Sequence, residues 1–302
     1  KMTKYVGKNI PRLDGYDKAT GRGLYTTDVN LPHMLHAAVL RSPYAHAKVV
    51  SIDVSEAEKM DGVVAIATRD NTPRTYFNVT ASMILTVPPA KPVLDQQIFP
   101  DVVRYIGDEV AAVAAETLEI AKEAIKKIKV VYEELPAVYD VEEAMKDGAP
   151  QVQPDFSPGN NLCGGVIKIR QGDVDAAWDE GEVYAEHTMY LPRVKQAQLE
   201  THGAVASYNP DGRLKVYCTT QTPTPTKMIL AHVFDMPSSK IQVLNPPHVG
   251  GAFGVRIGIS GKAEVIAAAL SIMAKRPVKY IYSRKEDFLA SDTRHGGQIK
   301  CR

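Results

Sequence analysis

Apolar positions along this chain fall into short blocks with different periods. Residues 34–40 (MLHAAVL) and 109–115 (EVAAVAA) are nearly continuous apolar runs, as in buried strands, and 63–67 (VVAIA) is a third. Residues 47–54 (AKVVSIDV) alternate in part, as a strand with one wet face does. Thr117 suits a helix N-cap, 118–128 has helical spacing, and 129–132 resumes as a strand. Strand 109–115, this helix and strand 129–132 predict a βαβ unit with parallel strands and a right-handed crossover. Residues 6–28 keep no apolar period and predict an extended arm along the surface that ends in a short strand. Residues 68–101 are irregular and proline-rich, which predicts a partner contact or an entrance wall.

Proline, glycine and asparagine crowd residues 144–162, so a linker is expected there, with one domain over 1–143 and a second over 163–302. The second part predicts a short helix around Ala176 and Trp178, a strand at 183–190, and a hairpin of 203–208 with 213–218 around Asn209-Pro210-Asp211-Gly212. Thr222 and Pro223 open a helix whose inward face is expected at Met228, Ile229, His232 and Val233. A strand at 241–244, an apolar helix over 265–274 and a strand at 278–282 complete an α+β pattern.

Composition narrows the class. The length of 302 residues favours two domains at roughly 150 residues each. A net charge of +1, from 36 basic and 35 acidic residues, gives no electrostatic case for nucleic acid or an anionic membrane. The run 265–274 is far shorter than the roughly 20 residues of a membrane span. No secretory signal is read at the start. The three cysteines, Cys163, Cys218 and Cys301, form no CxxC pair, so a disulfide scaffold and a cysteine zinc site are not expected and a reducing cytoplasm is. The histidines are scattered, so a metal is expected on an organic cofactor and not on side chains.

Chemistry concentrates before the last helix, in a loop carrying Gly250, Gly251, Gly254, Gly258 and Gly261. Glycines let a ligand approach the main chain, and a helix starting there aims unpaired N–H groups at an anion. Ser260-Gly261-Lys262-Ala263 looks like a phosphate-binding loop, yet Arg256 stands where its first glycine belongs and Ala263 replaces the magnesium-binding hydroxyl. Spacing alone leaves two readings, a cofactor-holding turn or a tight turn packing a helix on a sheet.

Several segments in order resemble the large subunit of the molybdenum hydroxylases, the xanthine dehydrogenase and aldehyde oxidase family. These are GKNIPRLDGYDKATGRGLYTTDV with LHAAVLRSPYAHAKV, VRYIGDEVAAVAAETLEIAKEAIKKIKVVYEELPAV, QLETHGAVA, VYCTTQTP, VGGAFG and RPVKYIYSRKEDFLASDTRH. The resemblance implies an N-terminal a/b hammerhead domain followed by the first part of the molybdopterin-binding α+β domain. It implies that Gln221 hydrogen-bonds an oxygen on molybdenum and that Phe253 and Gly254 lie beside the metal with backbone amides toward it. Gly251 and Ala252 complete the implied cofactor contact. Glu200 and His202 are expected to position backbone or satisfy buried polar groups.

The implied activity is hydroxylation of an electron-poor carbon with water as the oxygen source. The cofactor is molybdenum-molybdopterin, in the cytosine dinucleotide form in some members, and electrons pass to 2Fe-2S clusters and FAD on partner subunits or domains. Purine-oxidising members carry a glutamate four residues after the turn's phenylalanine; here stands Ile257, which disfavours a purine and leaves aldehydes, nicotinate-like N-heterocycles and other aromatic acids. The family's catalytic glutamate lies near the far end of the large subunit, beyond Arg302. The expected partners are therefore a C-terminal molybdopterin-binding part or second molybdenum subunit, an iron–sulfur subunit and an FAD subunit, the chain being either a fragment or half of a split subunit. Two rival readings are a nucleotide-binding oxidoreductase domain and a structural subunit that has lost the site.

Overall fold

The computed structural model describes residues 3–78, 93–157, 159–162, 168–259 and 261–302. The centre of the proline-rich stretch, 79–92, lies outside the described residues, as do Cys163 and Ser260. In chain order the first half contains α1 (Gly15–Ala19), β1 (Leu35–Arg41), β2 (Ala47–Asp53), α2 (Ser55–Glu58), β3 (Val63–Thr68), β4 (Val102–Val103), β5 (Glu109–Ala115), α3 (Leu118–Lys127), β6 (Lys129–Glu134) and α4 (Val141–Ala144). The second half contains α5 (Val174–Asp179), β7 (His187–Leu191), β8 (Gly203–Tyr208), β9 (Leu214–Cys218), α6 (Pro223–Val233), β10 (Ile241–Leu244), α7 (Ala263–Ala274), β11 (Val278–Ile281), α8 (Arg284–Ala290) and β12 (Gly297–Cys301).

A seven-stranded sheet in the order β10-β9-β8-β11-β1-β5-β3 forms the centre. Strands from before and after 144–162 share it, because β1 pairs in parallel with β11 through Leu35↔Val278 and His36↔Lys279. All seven residues of β5 are buried, so it is suited to lie between β1 and β3, antiparallel to both. Helix α7 covers the sheet, packing on β8, β11, β3 and β5, with Ala263 through Ser271 all buried. The small alanines let it lie close, while Val265, Ile266 and Leu270 supply the bulk, each contributing about 1.5–3 kcal/mol of burial.

The expected parallel βαβ unit does not form. Thr117 does cap α3, its hydroxyl accepting from Ile120 N–H, but β6 leaves the main sheet and pairs antiparallel with β2, whose other edge takes β4. The burial patterns explain the split. β5 has no wet face, whereas β2 and β6 keep exposed positions between buried or half-buried ones, and strands with one wet face match each other in a sheet open on one side.

Three further expectations are corrected. The arm contains α1 and ends in a short 3-10 turn over Thr26–Asp28, closed when the Asp28 carboxylate accepts from Tyr25 N–H at 2.9 Å, and not in a strand. Helix α6 turns Thr226, Ile229, Leu230 and Val233 inward, while Met228 and His232 face out. The Thr222 hydroxyl does not cap α6; it accepts instead from Gly258 N–H at 2.8 Å. The 203–218 hairpin forms as expected, with Gly212 at φ +77° and Asn209 N–H bonded to Arg213 O at 2.8 Å. Among the described residues no helix is long and apolar enough to cross a membrane.

A buried charge cluster ties the halves together. Lys262, immediately before α7, places Nζ 2.8 Å from Glu109 Oε2 and 3.2 Å from Asp108 Oδ1. Arg41 Nη1 reaches Glu109 Oε1 at 2.7 Å, and its Nη2 donates to the Tyr280 hydroxyl at 2.8 Å. Burial works against the charges of Lys262 and Glu109, but each partner's field outweighs it: Lys262 is held above its usual range and Glu109 below. Replacing Lys262 by alanine takes the cation from buried Asp108 and one of the two cations from buried Glu109, and should lower unfolding stability by about 3–5 kcal/mol. Denaturant titration of the variant checks this, and an unchanged midpoint would exclude a holding role for the cluster.

Candidate functional site

The glycine loop, the end of β9 and the segment before β8 meet at one place. After β9 the chain runs through buried Thr219 and Thr220 to exposed Gln221. Gln221 N–H donates to Arg256 O at 2.8 Å, and Gln221 Oε1 accepts from Arg256 N–H at 3.3 Å. The amide oxygen is thereby occupied by main chain of the loop, leaving the NH2 end, two donors, on the exposed side.

The turn itself is shaped by what glycine permits. A Cβ on Gly250 would lie 2.4 Å from Glu200 Cβ, so a side chain there is excluded. Gly251 and Gly254 adopt φ +101° and +90°, values that residues with a Cβ rarely reach. Phe253 also has positive φ, +54°, and is 73% exposed, a costly conformation for an aromatic residue and a costly place for it. Ala252 is half-buried between them. Space beside Gly254 is open: an added Cβ would meet nothing within 4 Å.

Beneath the turn lies a set of buried polar groups. The Glu200 carboxylate accepts from Gly250 N–H at 2.9 Å, from Thr26 N–H at 3.2 Å and from the Thr219 hydroxyl at 2.9 Å. The arm is thus fastened to the site, and His248 N–H adds a bond to Leu24 O. His202 Nε2 lies 3.1 Å from Val255 O, and its Nδ1 lies 2.7 Å from Asp287 Oδ1. Burial disfavours the charged Asp287 carboxylate, but hydrogen bonds from the His202 ring and backbone more than compensate and hold its pKa below the usual range. Gln198 donates Nε2 to both Asp287 oxygens, while its own buried Oε1 has no partner among the described residues. Glu200 and His202 therefore hold backbone. Gln198 and Asp287 were not singled out from sequence, and Arg256 only as the break in a phosphate motif, because a polar residue gives no sign of which distant group it will meet.

The phosphate-loop look of Ser260-Gly261-Lys262-Ala263 has a structural explanation. Lys262 is 2% exposed and spent on Asp108 and Glu109. The first turn of α7 is buried too, so its N–H groups do not face an external anion as the sequence suggested. A cavity of about 990 Å³ lies elsewhere, lined by His46, Arg104, Tyr139, Tyr190 and Gln298 among others and by no residue of the glycine turn. The turn stands at an open surface beside Leu199, which is 90% exposed.

Comparison with known proteins follows the same lines. Residues 20–136 match the aldehyde oxidase and xanthine dehydrogenase a/b hammerhead domain, and residues 155–302 match the molybdopterin cofactor-binding domain. The nicotinate dehydrogenase large molybdopterin subunit of Eubacterium barkeri is 30% identical over 303 residues, covering 100% of this chain and 67% of that protein. The nicotine 6-hydroxylase large subunit of Paenarthrobacter nicotinovorans is 32% identical over 291 residues, covering 96% of this chain and 35% of that one. Quinoline 2-oxidoreductase from Pseudomonas putida 86 superposes with a TM-score of 0.82 at 29% identity, over 97% of this chain and 36% of that chain. The chain thus spans from about a third to two thirds of the length of these proteins.

One buried carboxyl in the first turn of α7 should titrate with folding. Burial raises the Glu264 carboxyl from 4.5 to about 7, so between those values the folded protein keeps a proton that the unfolded chain releases. Its stabilising contribution is full below pH about 4.5 and is lost as pH rises through about 7. Glu264→Gln should accordingly lose less stability than the parent between pH 5 and pH 8, pH values set about the range given by linkage. Equal slopes of denaturation midpoint against pH in the two proteins would contradict this.

Proposed function

Because the chain belongs to the xanthine dehydrogenase and aldehyde oxidase family of molybdenum hydroxylases, we propose that it forms one wall of a molybdenum-cofactor site that oxidises an aldehyde or N-heteroaromatic carbon. The observation that carries this reading is the pairing of Gln221 with the glycine turn, which occupies the amide oxygen and leaves the NH2 end of this exposed residue free near the exposed residues Phe253 and Gly254. The residues present fit the cofactor: glycines without side chains at 251 and 254, open space at 254, and neutral donors rather than charged groups at the surface. Gly251, Ala252, Phe253 and Gly254 would hold it together with Gln221. When bound, the molybdenum cofactor supplies two-electron oxidation with oxygen taken from water.

This chain's own share is electrostatic. The Gln221 N–H donors and the backbone N–H groups of Phe253 and Gly254 stabilise negative charge that builds up beside them, and they do so without reorganising because the turn is pinned from below. Ile257, half-buried, presents no hydrogen-bonding group, which supports an aldehyde or nicotinate-like ring over a purine. A general base, the remaining pterin contacts, and iron–sulfur and FAD centres come from other parts of the large subunit or from partner chains. A cytosine dinucleotide form of the cofactor and a reducing cytoplasm complete the reading, the latter in keeping with the free thiols of Cys218 and Cys301.

Gln221→Ala in the complex purified with its native partners should lower kcat by about 10²-fold or more while molybdenum and pterin content stay normal. Unchanged turnover at full molybdenum content would sink the assignment. A preparation without molybdenum or pterin would favour a structural subunit instead.

A further inference from the structure

We infer that Arg256 is a positioning residue which, paired with Glu200, decides the end of the Gln221 amide that faces outward. The inference rests on the reading of Gln221 as a hydrogen-bond donor at the cofactor site.

Arg256 is 2% exposed and lies two residues after Gly254, under the turn. Its guanidinium joins separate stretches of chain: Nη2 donates to the carbonyls of Glu200 and of Thr201, the latter at 3.1 Å, and Nη1 points at Thr219 O at 3.5 Å. The same guanidinium lies 3.6 Å from the Glu200 carboxylate, whose other contacts hold Gly250 and Thr26. Its main chain does something different. Arg256 O accepts from Gln221 N–H at 2.8 Å, and Arg256 N–H occupies Gln221 Oε1 at 3.3 Å. One residue therefore anchors the floor with its side chain and orients the glutamine with its backbone. The planar fork matters, since a lysine keeps the charge but, as a compact point charge, does not reproduce the spread of donors toward the Glu200, Thr201 and Thr219 carbonyls. Of the two bonds that hold Gln221 to Arg256 the 3.3 Å one is the longer, and if the floor shifts a released amide can rotate to present its oxygen to developing negative charge. A misplacement of about 1 Å at such a site is enough to cost on the order of 10²-fold in rate.

The test uses the complex with its native partners and four variants: Arg256→Lys, Glu200→Gln, Gln221→Ala and the Arg256→Lys/Gln221→Ala double. Molybdenum and pterin content, kcat, KM and the electron paramagnetic resonance spectrum of the half-reduced molybdenum are measured for each. Arg256→Lys is expected to retain molybdenum, to lose about tenfold or more in kcat with KM changed by less than about twofold, and to alter the resonance spectrum. The double variant is expected to be no slower than Gln221→Ala alone, because both changes remove one interaction. Should Arg256→Lys not assemble, Glu200→Gln, similar in size and uncharged, is expected to give the same kcat loss and spectral change. A molybdenum-replete Arg256→Lys enzyme with parental kcat and spectrum, or losses that add in the double variant, overturns the inference while leaving Gln221 in place. Loss of molybdenum in both Arg256→Lys and Glu200→Gln also overturns it, since the pair would then serve assembly alone. If Gln221→Ala turns over normally at full molybdenum content, the reading of Gln221 falls and the inference falls with it.

Discussion

The buried contact of Lys262 with Glu109 and Asp108, extended by Arg41, is the constraint on which the arrangement of this chain depends. Its members come from β1, the start of β5 and the residue before α7, separated by as many as 221 positions between Arg41 and Lys262. Charges removed from water are tolerated only when fully paired, so the cluster is satisfied when the two halves are in register and costly when they are not. It sits at the Arg41 end of β1, while the other end of β1 pairs with β11, the only strand pairing between the halves among the described residues. The apolar core then follows the same geometry: Leu35, Ala112, Val216, Leu230, Ile266 and Tyr280 belong to one cluster that draws on residues before and after 144–162.

From that frame the glycine turn inherits its position. Helix α7 is clamped at its first residue by Lys262 and buried along nine positions, so the loop that enters it has a rigid far end. Its near end is fixed by Glu200 and its middle by His202 and Arg256. The result is an exposed strip of main chain with positive φ at Gly251, Phe253 and Gly254, conformations that persist because the surrounding hydrogen bonds over-determine them. Strain held in this way at a surface, with open space beside Gly254, supports the proposed cofactor wall.

Apolar side chains remain uncovered in this part of the chain: Phe253 and Leu199 are largely exposed, and the two-stranded β7–β12 ribbon exposes Met189, Tyr190 and Ile299. In the proposed reading such a wall provides placement and charge stabilisation, with Glu200, His202 and Asp287 spent on holding backbone and one another.

Much was legible without a structure. Continuous apolar runs marked β1 and β5, Thr117 marked the start of α3, Asn209 to Gly212 marked the hairpin turn, and the alanine-rich stretch marked α7, since each depends on local period or turn chemistry. Pairing was not legible: the βαβ reading of β5 and β6 failed because periodicity tells how many faces a strand buries and not which strand lies beside it. The resemblance located Gln221, Phe253 and the glycines. Arg256 was noticed only as a defect in a phosphate motif, and Lys262 only as a remnant of one, because partners 56 and 154 positions away decide what those cations do. The amino-acid sequence thus determined the elements and the backbone freedom of the turn, which are set by side chains a few residues apart. Only the tertiary structure decided that one cation joins the halves and the other carries the floor of the site, because a buried charge takes its role from whatever opposite charge the fold brings within about 4 Å.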